Sequence, residues 1–229
     1  MSAVLQSSVT NMFTTILFDL DGTLTDPGEG ITNSVAYALG HFGIQVPERE
    51  KLYPFIGPPL AESFAKYFHM NDLQSNTAVE IYREYFSVKG WRENCVYDGI
   101  EELLYTLRKA EKRLLVATSK PEEFAVRILN EFELSKYFDY ICGAPFHPPK
   151  GYSKADVIKA ALDRAGIKAS DSVIMVGDRY HDVLGAHTVG IPAVGALYGY
   201  GSKVEHEEYR ADYIVENIAQ LEGLLLNAE

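Results

Sequence analysis

Two carboxylates one residue apart stand where this chain can do chemistry. The run Ile16-Leu17-Phe18-Asp19-Leu20-Asp21-Gly22-Thr23-Leu24-Thr25-Asp26 is apolar up to Asp19, then acidic, then free to turn at Gly22. Strand side chains alternate faces, so Asp19 and Asp21 project the same way from the end of a buried strand. Acids that close repel, and one takes back a proton unless a cation lies between them. A hard divalent ion with oxygen ligands, Mg²⁺ above all, resolves that conflict. Asp-x-Asp-Gly is also the composition of a solvated turn. Here the acids follow a strand-like apolar run, and complementary residues recur at later strand ends.

Val116-Ala117-Thr118-Ser119-Lys120-Pro121 sets hydroxyls and fresh backbone N–H groups at a strand-to-helix junction, which suits an anion. Thr118 or Ser119 would serve equally as a simple helix N-cap. Lys154 falls in the first turn of a helix capped by Ser153 and Asp156, where a cation opposes the helix dipole. An anion held nearby turns that misplaced charge to use. Lys150, in the Pro148-Pro149-Lys150-Gly151 loop, competes for the role; Lys154 is preferred because a helix start fixes a side chain better than a loop. Val176-Gly177-Asp178-Arg179-Tyr180-His181-Asp182 repeats the opening pattern, an apolar strand ending in Gly-Asp with a second acid one helical turn on. Asp178 could complete a Mg²⁺ site with Asp19 and the main-chain carbonyl of Asp21, with Asp182 orienting a ligand or metal-bound water; taken alone, the pair would serve equally as an Asp N-cap followed by a solvated helix acid. His181 and His187 have no partner at ligand spacing.

The elements that must position these residues alternate. Strands are expected at Leu114–Ala117, Tyr140–Cys142, Ser172–Val176, Ala193–Leu197 and Tyr213–Val215, with helices between them and an apolar helix at the end. Asp98 is expected to cap the helix that carries Ile100, Leu103, Leu104 and Leu107. The alternation implies an α/β fold, a doubly wound parallel sheet whose ligands gather at the carboxyl ends of the strands. Between Pro27 and Val96 helical patterns dominate, from Glu29 to Phe42, a short one from Pro47, and from Leu60 to Met70 and Ser75 to Lys89. A stiff apolar turn spans Tyr53–Pro59, and no convincing strand is present. The organisation expected is a short tail over 1–13, a core from 14–26 and 97–229, and an inserted all-helical domain over 27–96.

The chain has 229 residues, 47% of them hydrophobic, enough for a full core. Its net charge of −11 argues against nucleic acid and anionic membranes as partners. An anionic substrate stays compatible, because a bound metal inverts the local field. Cys95 and Cys142 fit no metal spacing and read as reduced thiols, which together with the lack of a signal-peptide pattern or spanning stretch suggests a cytoplasmic protein. Either a monomer or a homodimer is compatible with the sequence.

Taken in order, Asp19-x-Asp21-Gly22-Thr23-Leu24-Thr25-Asp26, Thr118-Ser119, Lys154 and Gly177-Asp178-x-x-x-Asp182 resemble the four motifs of the haloacid dehalogenase-like hydrolases. Gly57-Pro58-Pro59-Leu60 and Gly199-Tyr200-Gly201-Ser202 resemble the phosphoglycolate phosphatase-like branch. The resemblance implies a Rossmann-like core with a helical cap, Mg²⁺ as cofactor, and a phosphatase acting on a small phosphomonoester. It implies Asp19 as nucleophile forming an aspartyl-phosphate, and Asp21 as the acid that protonates the leaving oxygen and later assists water. Thr118, the Ser119 amide and Lys154 would hold the phosphoryl oxygens; Gly57 would face substrate; Asp19, Asp21, Asp178 and Asp182 would serve the metal. The segment after Lys150 departs from the superfamily's usual Lys-Pro pattern. Asp21 disfavours dehalogenation, and Pro27 and Ile31 disfavour mutase chemistry. A 5'-nucleotidase or pyrophosphatase of the same superfamily is an alternative, as is, in a different class, a receiver-type domain switched by a phospho-aspartate.

Overall fold

The computed structural model describes residues 13–149 and 151–227. Lys150 and nearly all of the expected N-terminal tail lie outside the described residues. Six parallel strands form one sheet: β1 (Thr15–Phe18), β4 (Arg113–Pro121), β5 (Tyr140–Ala144), β6 (Val173–Gly177), β7 (Ala193–Ala196) and β8 (Tyr213–Val215), in the spatial order β5-β4-β1-β6-β7-β8. The first strand is therefore internal. The next two build outward on one side of it and the last three on the other, so the winding reverses between β1 and β6. At such a reversal the loops leave in opposite directions and open a crevice at the strand ends.

Both faces of the sheet are covered, which is why these strands read as apolar runs rather than alternating ones. Ile16, Phe18, Leu114, Val116, Ile174 and Val176 pack on one side, against α4 (Ile100–Lys109), α5 (Glu122–Glu131) and α9 (Ile218–Asn227). Leu17, Leu115, Ala117 and Met175 pack on the other, against α6 (Lys154–Ala165) and α7 (Tyr180–Val189). The register pairs Phe18 with both Val116 and Val176. Asp19, the Thr118 region and Asp178 consequently leave three neighbouring strands at the same edge.

Between β1 and β4 the chain departs into helices: α1 (Gly28–His41), a 3₁₀ stretch (Arg49–Phe55), α2 (Leu60–Phe68), α3 (Asp72–Tyr85) and a π-helical turn (Phe86–Gly90). The expectation of no strand in this region is corrected at its border. Thr25–Asp26 and Cys95–Val96, here β2 and β3, pair antiparallel and form the neck through which the chain leaves and returns. Pairs of two residues carry too little pattern to read from sequence. Asp98 does not cap α4; Gly99, at φ +89, occupies that position without a side-chain cap. Pro54 lies inside the 3₁₀ stretch rather than in an open turn, and α3 begins at Asp72, capped by Asn71 and Gln74. A further short helix, α8 (Lys203–Glu208), follows β7.

Candidate active site

Asp19 is the first residue beyond β1, and its Oδ1 accepts from the Leu20 N–H at 2.7 Å. The same oxygen lies 2.9 Å from Lys154 Nζ, which also reaches Asp182 Oδ1 at 2.7 Å. All three side chains are buried. Lys154 comes from the first residue of α6, and the start of that helix is fixed by Asp156, whose carboxylate accepts from the Ser153 N–H at 2.8 Å and Oγ at 2.7 Å. Asp182 lies in the first turn of α7 and accepts from the Arg179 N–H at 3.1 Å. Gly185 lets α7 approach α6 closely: a Cβ there would come 2.9 Å from Lys154 Cβ.

Asp178 follows β6 and is fully buried. It accepts from the Tyr200 N–H at 2.8 Å, with the Thr23 hydroxyl at 3.5 Å. Gly22, at φ +80, is required beside it, since a Cβ at that position would fall 2.1 Å from the Asp178 carboxylate. One carboxylate oxygen from each of Asp19, Asp178 and Asp182 lies within 4.8 Å of the others. Asp21 stands apart from that trio: its Oδ2 is ion-paired with Lys120, while its Oδ1 is buried with no hydrogen-bond partner among the described residues.

The electrostatics follow from burial. Desolvation raises the Asp21 carboxyl, Lys120 opposes the rise, and the charge of Asp19 adds to it. Asp178 is driven well above the ordinary carboxylate range by burial, with Asp182 adding repulsion. Burial likewise raises Asp182 despite its contact with Lys154. For Lys154, burial pulls downward, but Asp182 and Asp19 together outweigh it and hold the ammonium above its usual range. Four buried carboxylates (Asp19, Asp21, Asp178, Asp182) face two buried ammonium groups (Lys120, Lys154) at these strand ends. With every carboxylate ionised the surplus of two negative charges would match one divalent cation, and the all-oxygen donor set suits Mg²⁺.

Of the residues expected from sequence, Asp19, Lys154, Asp178 and Asp182 come together directly. Thr118 is buried on β4 at the same sheet edge, and its Oγ1 accepts from the Lys120 N–H at 3.2 Å. Neither it nor Ser119 caps α5, whose N-cap is Pro121. Ser119 sits half-buried where the β4–β5 register shifts between Thr118 and Pro121. Gly57 lies in the insert with φ +101, against the Arg179 side chain. Lys120 was missed. It is buried, bound to Asp21 and placed 4.8 Å from the Phe86 ring centroid. The irregularity in β4 turns it inward, and nothing in the Thr-Ser-Lys-Pro string announces that. His187 meets Asp212 at 2.9 Å away from the cluster.

The haloacid dehalogenase-like hydrolase pattern matches residues 16–196. The chain belongs to that family. A relative from Pseudomonas aeruginosa, named 5'-nucleotidase, is 42% identical over 210 residues, covering 92% of this chain and 94% of its own. Another, from Mycobacterium tuberculosis and named tyrosine-protein kinase PtkA, is 41% identical over 87% of this chain, which spans only 64% of that longer protein. Among solved structures, a predicted phosphatase from Clostridium acetobutylicum superposes with a TM-score of 0.89 at 45% identity, covering 92% of this chain and 97% of the other.

Proposed function

We propose that the chain is a Mg²⁺-dependent phosphatase that hydrolyses a small phosphomonoester through an aspartyl-phosphate on Asp19. The observation that carries the reading is the placement of Asp19. Its Oδ1 is held by Lys154 and the Leu20 N–H, and no donor among the described residues reaches Oδ2. One carboxylate oxygen is thus fixed and the other is left to attack. Asp19 Oδ2 forms a bond to phosphorus as the bond from phosphorus to the leaving oxygen breaks. The Asp21 carboxyl, kept protonated more readily by its burial, gives its proton to that oxygen. Water then attacks phosphorus, Asp21 takes the water's proton, and the bond to Asp19 breaks to release phosphate. Lys154, the Thr118 hydroxyl and the Ser119 N–H hold the phosphoryl oxygens. Asp19, Asp178 and Asp182, with the Asp21 carbonyl, would hold Mg²⁺, which when bound cancels the repulsion between a carboxylate nucleophile and an anionic phosphate.

In this reading the helices between β2 and β3 form a cap over the crevice, with Gly57 facing substrate. No described helix is long and apolar enough to cross a membrane, and the proposed setting is cytoplasmic. The Pseudomonas relative's name favours a nucleoside 5'-monophosphate as a second choice beside phosphoglycolate. The test is phosphate release from phosphoglycolate, nucleoside monophosphates, pyrophosphate and a sugar phosphate, each with Mg²⁺ and with EDTA. Mg²⁺-dependent turnover abolished by Asp19→Asn supports the phosphatase, and the kcat/KM order names the substrate. No turnover, with a phosphoprotein that survives for minutes after acetyl phosphate treatment, refutes it in favour of a phosphorylation switch.

A further inference from the structure

Among the described residues, Arg83, Arg127 and Arg179 each bridge the helical insert and the sheet by donating to a main-chain carbonyl: Arg83 to Phe146 at 2.5 Å, Arg127 to Ser87 at 3.1 Å and Arg179 to Ile56 at 2.5 Å. Arg179 differs from the other two in where its remaining bonds lead. It follows Asp178 in sequence, and its N–H donates to Asp182. Its Nε lies 3.1 Å from Glu205 Oε1, which also accepts from the Tyr180 N–H at 2.7 Å. Glu205 is in turn anchored through its own N–H to Ser202 Oγ at 3.1 Å. The guanidinium is thus held at the root of α7 and directed at the insert.

A second contact meets the same loop. The Tyr53 ring stands edge-on to Tyr200 with centroids 5.5 Å apart. Tyr200 donates through its N–H to Asp178 and through its hydroxyl to Asp26 in the neck. Gly57 fits only because it lacks a side chain: a Cβ there would lie 2.9 Å from Arg179 Cγ, on backbone already at φ +101. Both residues that seat the Tyr53–Gly57 loop are one bond or one hydrogen bond from Asp178.

We propose that Arg179 is a positioning residue that seats the Ile56–Gly57 loop over the acidic cluster, so that the closed site forms around correctly placed Asp178 and Asp182. The inference rests on the phosphatase reading for its kinetic consequences but not for the clamp itself. Arg179→Met removes the donor and keeps most of the stem. Arg179→Lys keeps the charge but has no planar fork to serve Glu205 and Ile56 at once.

The experiment compares wild type, Arg179→Met and Arg179→Lys by hydrogen exchange over residues 52–60, without ligand and with Mg²⁺ plus orthovanadate, alongside kcat and KM on the best substrate of the panel. The Ile56 N–H is bonded to the Tyr53 carbonyl, so loosening of the loop is readable as lost protection. Faster exchange in both variants is expected, with vanadate-induced protection lost while the β6 amides remain protected. Loss of one charge-assisted hydrogen bond predicts a drop in kcat/KM of about ten- to a hundredfold, carried mainly by KM. Gly57→Ala is expected to reproduce the change and to add little in an Arg179→Met background. If Arg179→Met is too unstable to study, Arg179→Lys decides alone. Wild-type loop exchange in a folded variant overturns the clamp whatever the kinetics. Faster loop exchange in a protein that hydrolyses nothing leaves the clamp standing and removes the phosphatase reading.

Discussion

Lys154 sits between Asp19 and Asp182 with almost no exposed surface, so its charge answers two buried carboxylates at once. Removing one partner of a buried ion pair leaves the other desolvated and uncompensated, a loss of about 3 kcal/mol or more. Lys154→Met should therefore lower the free energy of unfolding by about that amount in urea titrations at neutral pH, and abolish turnover as well. Asp19→Asn keeps the shape and an acceptor for Lys154. It should retain most of the stability while losing at least about a thousandfold in kcat, with no phosphoenzyme on rapid quench. These residues were legible because each ends an apolar strand or begins a capped helix, and such ends are where chemistry collects in a parallel sheet. Lys120 was not legible. Its inward direction depends on the irregular end of β4, and no local spacing encodes its meeting with Asp21, 99 positions away.

At the scale of elements, α6 is the device that delivers Lys154, and its N-terminal hydrogen bonds set where the helix begins. Asp156→Ala removes the acceptor for the Ser153 N–H and hydroxyl, a cap worth about 1 kcal/mol. The expected result is a small loss of stability together with a fall in kcat, since Lys154 is the first helical residue. Thermal melts beside steady-state kinetics check both. The sign of the pH effect is fixed as well. Hydrogen bonds from Ser153 hold the Asp156 carboxyl below its usual value, so its contribution is present above about pH 4 and is lost as the pH falls further. Ser153-x-x-Asp156 was readable from the sequence as this cap. The neck pair Thr25–Asp26 with Cys95–Val96 was not, because two residues paired with two others far along the chain carry no periodicity. Asp98 misled for a related reason. It is a good capping residue by type, but the chain turns at Gly99, whose positive φ no other residue would take as readily.

For the whole molecule, charge placed against its environment decides more than the net value of −11. His206 on α8 is fully buried near Gly195 and Gly201. Burial lowers its pKa, Arg179 lowers it further, and Glu205 together with the Ala196 backbone opposes the shift. The unfolded chain therefore takes up a proton that the folded one refuses, and stability falls as pH drops below about 6.5. His206→Gln should flatten that decline in melts taken between pH 7.5 and 5. The acidic cluster acts in the opposite sense, since burial raises the carboxyls of Asp21, Asp178 and Asp182 and keeping them ionised opposes folding until a cation arrives. Mg²⁺ at a hundred times its Kd should add about 2.7 kcal/mol, a rise in Tm of roughly 5–10 °C for a chain of this size. Asp178→Asn separates the cost of the buried charge from its use. Asparagine keeps an acceptor for the Tyr200 N–H but carries no charge to desolvate. The metal-free variant should melt above metal-free wild type, and Mg²⁺ should no longer move its Tm. A Tm of the wild-type protein that ignores Mg²⁺ would show instead that the carboxylates are neutralised by protons, and that the site is not built around a divalent cation.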